Sequence, residues 1–184
     1  MSEIDHTDGG VLERLRALLC SEGGLMATLV APEPLAAVEP VDGPASIAAS
    51  GPRAAGRREA YELLVEAIYE GYLLHYGEPR VVRVPEADLK LLAGDRLYAI
   101  GLARLVELGD TLAVAELADT ITLSALAQGA GSKPLADAVW DAGARAVGWG
   151  ASEAHGRAKD LVLAGAANAI EAMRTSAMAA ATAP

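Results

Sequence analysis

Apolar residues recur at helical spacing through three successive stretches between residues 59 and 128, REAYELLVEAIYEGYLLHYGEPR, PEADLKLLAGDRLYAIGLARLVELGD and TLAVAELADTITLSALAQG, and this run constrains the fold most. A period of 3.6 sustained over each stretch predicts three long helices in a row, and with them an all-α helical bundle. In the first, Glu59, Glu62, Glu66 and Glu70 fall within a stripe about 80° wide. Leu63, Leu64, Ile68, Tyr69, Tyr72 and Leu73 occupy most of the remaining circumference. A helix this apolar is expected to be buried on more than one side, and Gly77 and Pro79 end it. Carboxylates at i, i+4 are common on helices and repel mildly, so Glu62, Glu66 and Glu70 read as a solvated stripe or interface edge rather than a cation ladder.

The middle helix opens at Pro85-Glu86, with an acidic residue at the positive end of its dipole, and runs to Leu108 before Gly109. Lys90, Arg96, Arg104 and Glu107 share one side, while Asp95 lies opposite with Leu91, Tyr98, Ala99, Leu102 and Val106. An unpaired carboxylate buried among those residues would cost several kcal/mol, roughly, so Asp95 is expected to find a partner on another segment and to anchor two helices. The third helix, Thr111 to Gln128, follows Asp110 as a cap and ends in Gly129 to Gly131. A fourth runs from Ser132 to about Val147, and Gly148 and Gly150 separate it from a last Ala-rich helix, Ala151 to Met173.

Before this core, Val11 to Ser21 has helical spacing and Leu25 to Val30 a second short helix, with Gly23-Gly24 between them. Residues 31–56 carry Pro32, Pro34, Pro40, Pro44 and Pro52 and read as a linker or surface loop. Val81 to Val84 is a short extended connector. Residues 1–10 and 175–184 read as disordered ends. The expectation is one domain with a helical core over residues 57–174, five to seven helices and no strand pair.

A net charge of −10 argues against nucleic acid or anionic membrane as a partner, since both need a basic patch. Cys20 is the sole cysteine, which rules out an internal disulfide and fits a cytosolic protein. No run of about 18 uninterrupted apolar residues is present to span a membrane. The chain also lacks the usual carriers of chemistry. Cys20, His6, His75 and His155 show no paired zinc spacing, and no two acidic residues are adjacent. Nucleophile elbows, phosphate loops and dinucleotide fingerprints are missing. His75 reads as a capping or packing residue, and Trp140 and Trp149 as core or interface anchors. No catalytic, cofactor-binding or metal-binding residue is expected.

The order of three pieces carries a resemblance. Glu66-Ala-Ile-Tyr69-Glu-Gly-Tyr-Leu73-Leu-His75 leads into Tyr76-Gly77-Glu78-Pro79-Arg80, and Leu92-Ala93-Gly94-Asp95-Arg96-Leu97 follows. Together with the helix pair that closes on Gln128-Gly129, about 70 residues in all, this resembles the all-trans isoprenyl diphosphate synthases. That family has Glu-x-x-His-x-x-x-Leu-x-His ahead of its first aspartate-rich motif, and Leu-x-Gly-Asp-x-Leu on the next helix. Here Tyr69 replaces the family's histidine, and Tyr76, Gly77 and Arg80 stand where its three aspartates would be. The second aspartate-rich motif is absent. The resemblance therefore implies a degenerate, partial isoprenoid-synthase fold unable to ionise an allylic diphosphate by the family's magnesium mechanism. Gly77 and Arg80 would project on the side of the Glu row.

The implied function is that of a non-catalytic subunit associating with a catalytic prenyltransferase, or with itself, and influencing chain elongation, with a prenyl chain as a candidate ligand. The alternative is a helical scaffold or assembly factor that docks on an unrelated complex. The two readings differ at one place. A pseudo-subunit is expected to keep an apolar channel between helices 59–76 and 86–108, which a scaffold would fill with side chains.

Overall fold

The computed structural model describes residues 10–32 and 43–178. Their regular structure is helical apart from one isolated antiparallel bridge between Val30 and Val82. The helices are α1 (Val11–Glu22), α2 (Gly24–Leu29), α3 (Pro44–Ser50), α4 (Arg58–Tyr76), α5 (Ala87–Glu107), α6 (Thr111–Gly129), α7 (Lys133–Trp149), α8 (Glu153–Leu163) and α9 (Ala169–Met178), with a 3-10 turn at Pro52–Ala54. Of the two ends read as disordered, residues 1–9 and 179–184 lie outside the described residues, and residues 175–178 complete the last helix.

The α4–α7 boundaries fall close to where the sequence punctuates them, except that Gly148, expected to help break the fourth helix, lies buried inside α7 and Gly150 ends it. Gly109, at φ 78°, ends α5, and Asp110 caps α6 by accepting the Ala113 N–H at 3.0 Å. Asp110 does more than cap. Arg53 donates to both of its carboxylate oxygens, at 2.8 and 3.0 Å, and the Tyr61 hydroxyl donates to one of them. One carboxylate thus ties the 3-10 turn and α4 to the start of α6. Beyond α7, the single expected helix over 151–173 is divided, because Gly165 at φ 63° turns the chain between α8 and α9.

α4 is the central element. α5 packs along it, α1 and α3 cover other sides, and Tyr61, Leu64, Val65, Ile68 and Tyr72 share a core with Leu105, Leu117, Trp140 and Val147. A second core joins Leu15 and Leu19 of α1 to Leu74, Val81, Val82, Leu97 and Ile100. A third, of Leu123, Val139, Val162 and Met173, seats the α8–α9 pair on α6 and α7.

Two expectations are corrected here. Residues 43–56 are not a linker: α3 lies between α4 and α7, and Ala45, Ala48 and Ala54 belong to the core. Pro44 and Pro52 each occupy the first turn of a helix, where a missing N–H costs nothing. The small residues let backbones meet, and a β-carbon on Gly148 would lie 2.6 Å from the Ala48 carbonyl oxygen. The remainder of the expected linker, residues 33–42, is outside the described residues.

The second correction concerns Asp95, whose side chain is 68 % exposed. The side of α5 that carries it also exposes Leu91, Ala99 and Val106. The buried face is instead Ala93, Gly94, Leu97, Ile100, Gly101 and Leu105. Apolar residues lie on both sides of α5, so periodicity cannot say which side faces inward. The opposite, charged side is drawn toward α1, where Glu22 accepts hydrogen bonds from Arg96 and Arg104.

Candidate functional site

The residues that carry the resemblance gather along one ridge of α4. Tyr69, Tyr72 and Tyr76 succeed one another with ring centroids 5.7 and 5.4 Å apart, and Trp140 of α7 meets Tyr69 edge-on at 5.0 Å. Gln128, near the end of α6, donates its side-chain N–H to the Tyr72 hydroxyl at 2.6 Å. Burial pushes the phenols of Tyr69 and Tyr72 above their ordinary range. Trp140 is therefore a core anchor, while Trp149 is half-buried.

Beside this ridge the Glu row behaves unlike a solvated stripe, and that expectation is corrected. Glu66 is 3 % exposed and Glu70 is completely buried. What makes this tolerable is the connector after α4, which turns back across the helix. Glu70 accepts the backbone N–H groups of Arg80, Val81 and Val82 at 2.8, 2.7 and 3.1 Å. The Arg80 guanidinium donates to Glu66, and its Nε stands 3.6 Å from Glu70. It also lies over the Tyr69 ring, 5.3 Å from the centroid. Glu62, farther along the row, pairs with Arg14 of α1.

Electrostatically the centre is tight. Burial raises the Glu66 carboxyl to about 7, outweighing the attraction of Arg80, and the charge of Glu70 adds to the rise. Two buried carboxylates around a cation would ordinarily invite a metal. Here the cation is the Arg80 side chain itself, which brings a fixed charge and planar donors. Among the described residues no group of three or more His, Cys, Asp or Glu is arranged to hold a metal ion.

The other resemblance residues lie at the C-terminal end of α4 and on the part of α5 that faces it. His75 stacks on Tyr98 at 5.3 Å and 6°, a packing role, and its Nε2 is 3.2 Å from the exposed Asp95 carboxylate. Asp95 thus has a partner on another helix, but at the surface. Gly77 donates its N–H to the Leu73 carbonyl, closing the helix, and Tyr76 is partly exposed beside it. Gly94 is one of the places where α4 and α5 approach closely. A β-carbon there would lie 2.6 Å from His75 Nε2 and 3.0 Å from the Gly71 carbonyl oxygen. A β-carbon on Gly71 would in turn fall 2.9 Å from the Gly94 carbonyl. The space between these helices is filled by their own backbones and by Ile68, which packs against Gly101.

A second polar centre, not anticipated from the sequence, lies where α6, α8 and α9 meet. Glu116 contacts His155 Nε2 at 2.6 Å, His155 Nδ1 contacts the Ser176 hydroxyl at 3.3 Å, and Lys159 donates to Glu116 at 3.0 Å and to Asp119 at 2.7 Å. Burial pushes the Glu116 carboxyl up, but His155 and Lys159 together hold it below its ordinary value. A Glu within the apolar run of α6 was the available signal. Its partners, 39 and 43 residues later, gave none.

No family model, curated protein or solved structure matches the chain.

Proposed function

We propose that this protein is a non-catalytic partner subunit of a trans-polyprenyl diphosphate synthase, docking through the outer faces of α5 and α6. The observation that carries the reading is the Arg80 guanidinium set against Glu66 and Glu70. At the positions where the resemblance puts metal-binding aspartates, this chain has an internal cation that seals two buried carboxylates. Magnesium-assisted ionisation of a diphosphate has no foothold in that arrangement. Docking is supported by Leu92, Val106, Leu112 and Leu126, which stand exposed on α5 and α6. Exposed apolar side chains of this kind mark interaction surfaces, and a partner protein is the cover proposed for them.

A second reading, a helical scaffold on an unrelated complex, is favoured by the α4–α5 contact. Gly71, Gly94 and Gly101 bring the two backbones together where a prenyl chain would have to lie. The apolar channel that the first reading expects between these helices is therefore not present among the described residues, which counts against that reading. Co-purification from the native cell separates the two. A prenyltransferase in stoichiometric amount is the expected result, recovery of a different complex assigns the scaffold role, and a solitary protein overturns both.

A further inference from the structure

In an acidic chain, a half-buried arginine without a carboxylate is out of place. Arg53, Arg80, Arg96, Arg104 and Arg157 each pair with an acidic side chain. Arg145 does not: among the described residues no acidic group lies within ion-pair distance, and its buried Nε–H has no hydrogen-bond partner. The guanidinium instead lies over the Trp149 ring, its central carbon 3.7 Å from the centroid, a cation–π contact that leaves its N–H groups without an acceptor.

Arg145 borders a crevice between the end of α7, the start of α8 and α9, lined also by Trp149, Gly150, Ser152, His155 and Ser176. The polar groups there are mostly committed. His155 is engaged by Glu116 and Ser176, the Ser176 hydroxyl donates to the Met173 carbonyl at 2.8 Å, and Glu116 is held by His155 and Lys159. The Ser152 oxygen accepts the His155 backbone N–H at 3.1 Å, which leaves its own proton to donate. The uncommitted groups, Arg145 and Ser152, are therefore both donors. The cavity is about 10 Å³, room for one water-sized atom.

We propose that this crevice is a carboxylate-binding site. One carboxylate oxygen accepts from the Ser152 hydroxyl, and the Arg145 guanidinium donates to the same carboxylate in a charge-assisted hydrogen bond. A carboxylate is smaller and planar, so a crevice this narrow favours it over a tetrahedral phosphate. Arg145 reaches solvent, so the carboxylate comes from outside the fold, either as a small acid or as the acidic end of a bound polypeptide.

The test is NMR titration of the full chain, following the Arg145 Nε–H and the Trp149 indole N–H. The probes are acetate and N-acetyl-tetraalanine with a free C-terminus, and the controls are its C-terminal amide, phosphate, and sodium chloride at matched ionic strength. Saturable shifts at both groups with the two carboxylates alone are expected, and Arg145→Lys should weaken binding at least about tenfold as read at Trp149. Tighter binding of the peptide acid than of acetate assigns the site to polypeptides, and equal binding to small acids. Unsaturable shifts shared with chloride, or a Trp149 response unchanged in a folded Arg145→Lys protein, would overturn the proposal.

Discussion

Glu70, in the second half of the central helix α4, accepts the backbone N–H of Val81 at 2.7 Å, joining α4 to the connector that leads into α5. The same carboxylate accepts from Arg80 and Val82, so three consecutive peptide groups converge on one side chain. Charge-assisted bonds of this kind offset the desolvation of a carboxylate that no solvent reaches.

Truncating that side chain should be costly. Glu70→Ala strands three N–H groups, those of Val81 and Val82 buried, and leaves Arg80 with Glu66 alone, and a loss of about 3–5 kcal/mol is expected. Urea unfolding measures it, and a change under about 1 kcal/mol would show that the connector is held by something else.

Glu66 makes stability depend on pH near neutrality. Its carboxyl titrates near 7 in the folded chain against an ordinary value of 4.5, so between these values the folded state holds more protons than the unfolded one. Stability therefore falls as pH rises from 4.5 to 7, by about 3 kcal/mol, and the cost is fully present above 7. Denaturant midpoints across that range should show this slope, and Glu66→Gln should flatten it.

Asp95→Asn should do little. An exposed carboxylate beside His75 contributes at most about 1 kcal/mol after solvent screening. A fall in melting temperature of more than a few degrees would mean that the surface contact with His75 matters far more than its exposure allows.

Gly148→Ala should destabilise although alanine favours a helix by about 1 kcal/mol. The added carbon would press on the Ala48 carbonyl across the α3–α7 contact, and a net loss of about 1–3 kcal/mol is expected by thermal unfolding. A gain in stability would return residues 43–56 to the role of a loosely attached segment.

On the outer face, Leu92→Lys with Val106→Lys should leave folding within about 0.5 kcal/mol, since both side chains are exposed. Recovery of the native partner by affinity purification should drop severalfold. An unchanged yield would move the docking surface away from α5.

Local sequence determined the helices themselves. The 3.6 period of α4 to α7, the caps at Asp110 and Gly109, and the breaks at Gly77 and Gly150 all act within a few residues, so they are legible without knowing the fold. Only the tertiary structure decided burial. α5 is apolar on two sides, and its glycines, by letting α4 approach, turned Gly94 inward and left Asp95 at the surface. Glu66 and Glu70 went inside because a connector ten residues downstream folded back with N–H groups and a guanidinium. Likewise, the Pro- and Ala-rich stretch became core because Gly148, nearly a hundred residues later, left room for its backbone. Each outcome rests on contacts between segments distant in sequence, and local periodicity carries no information about them.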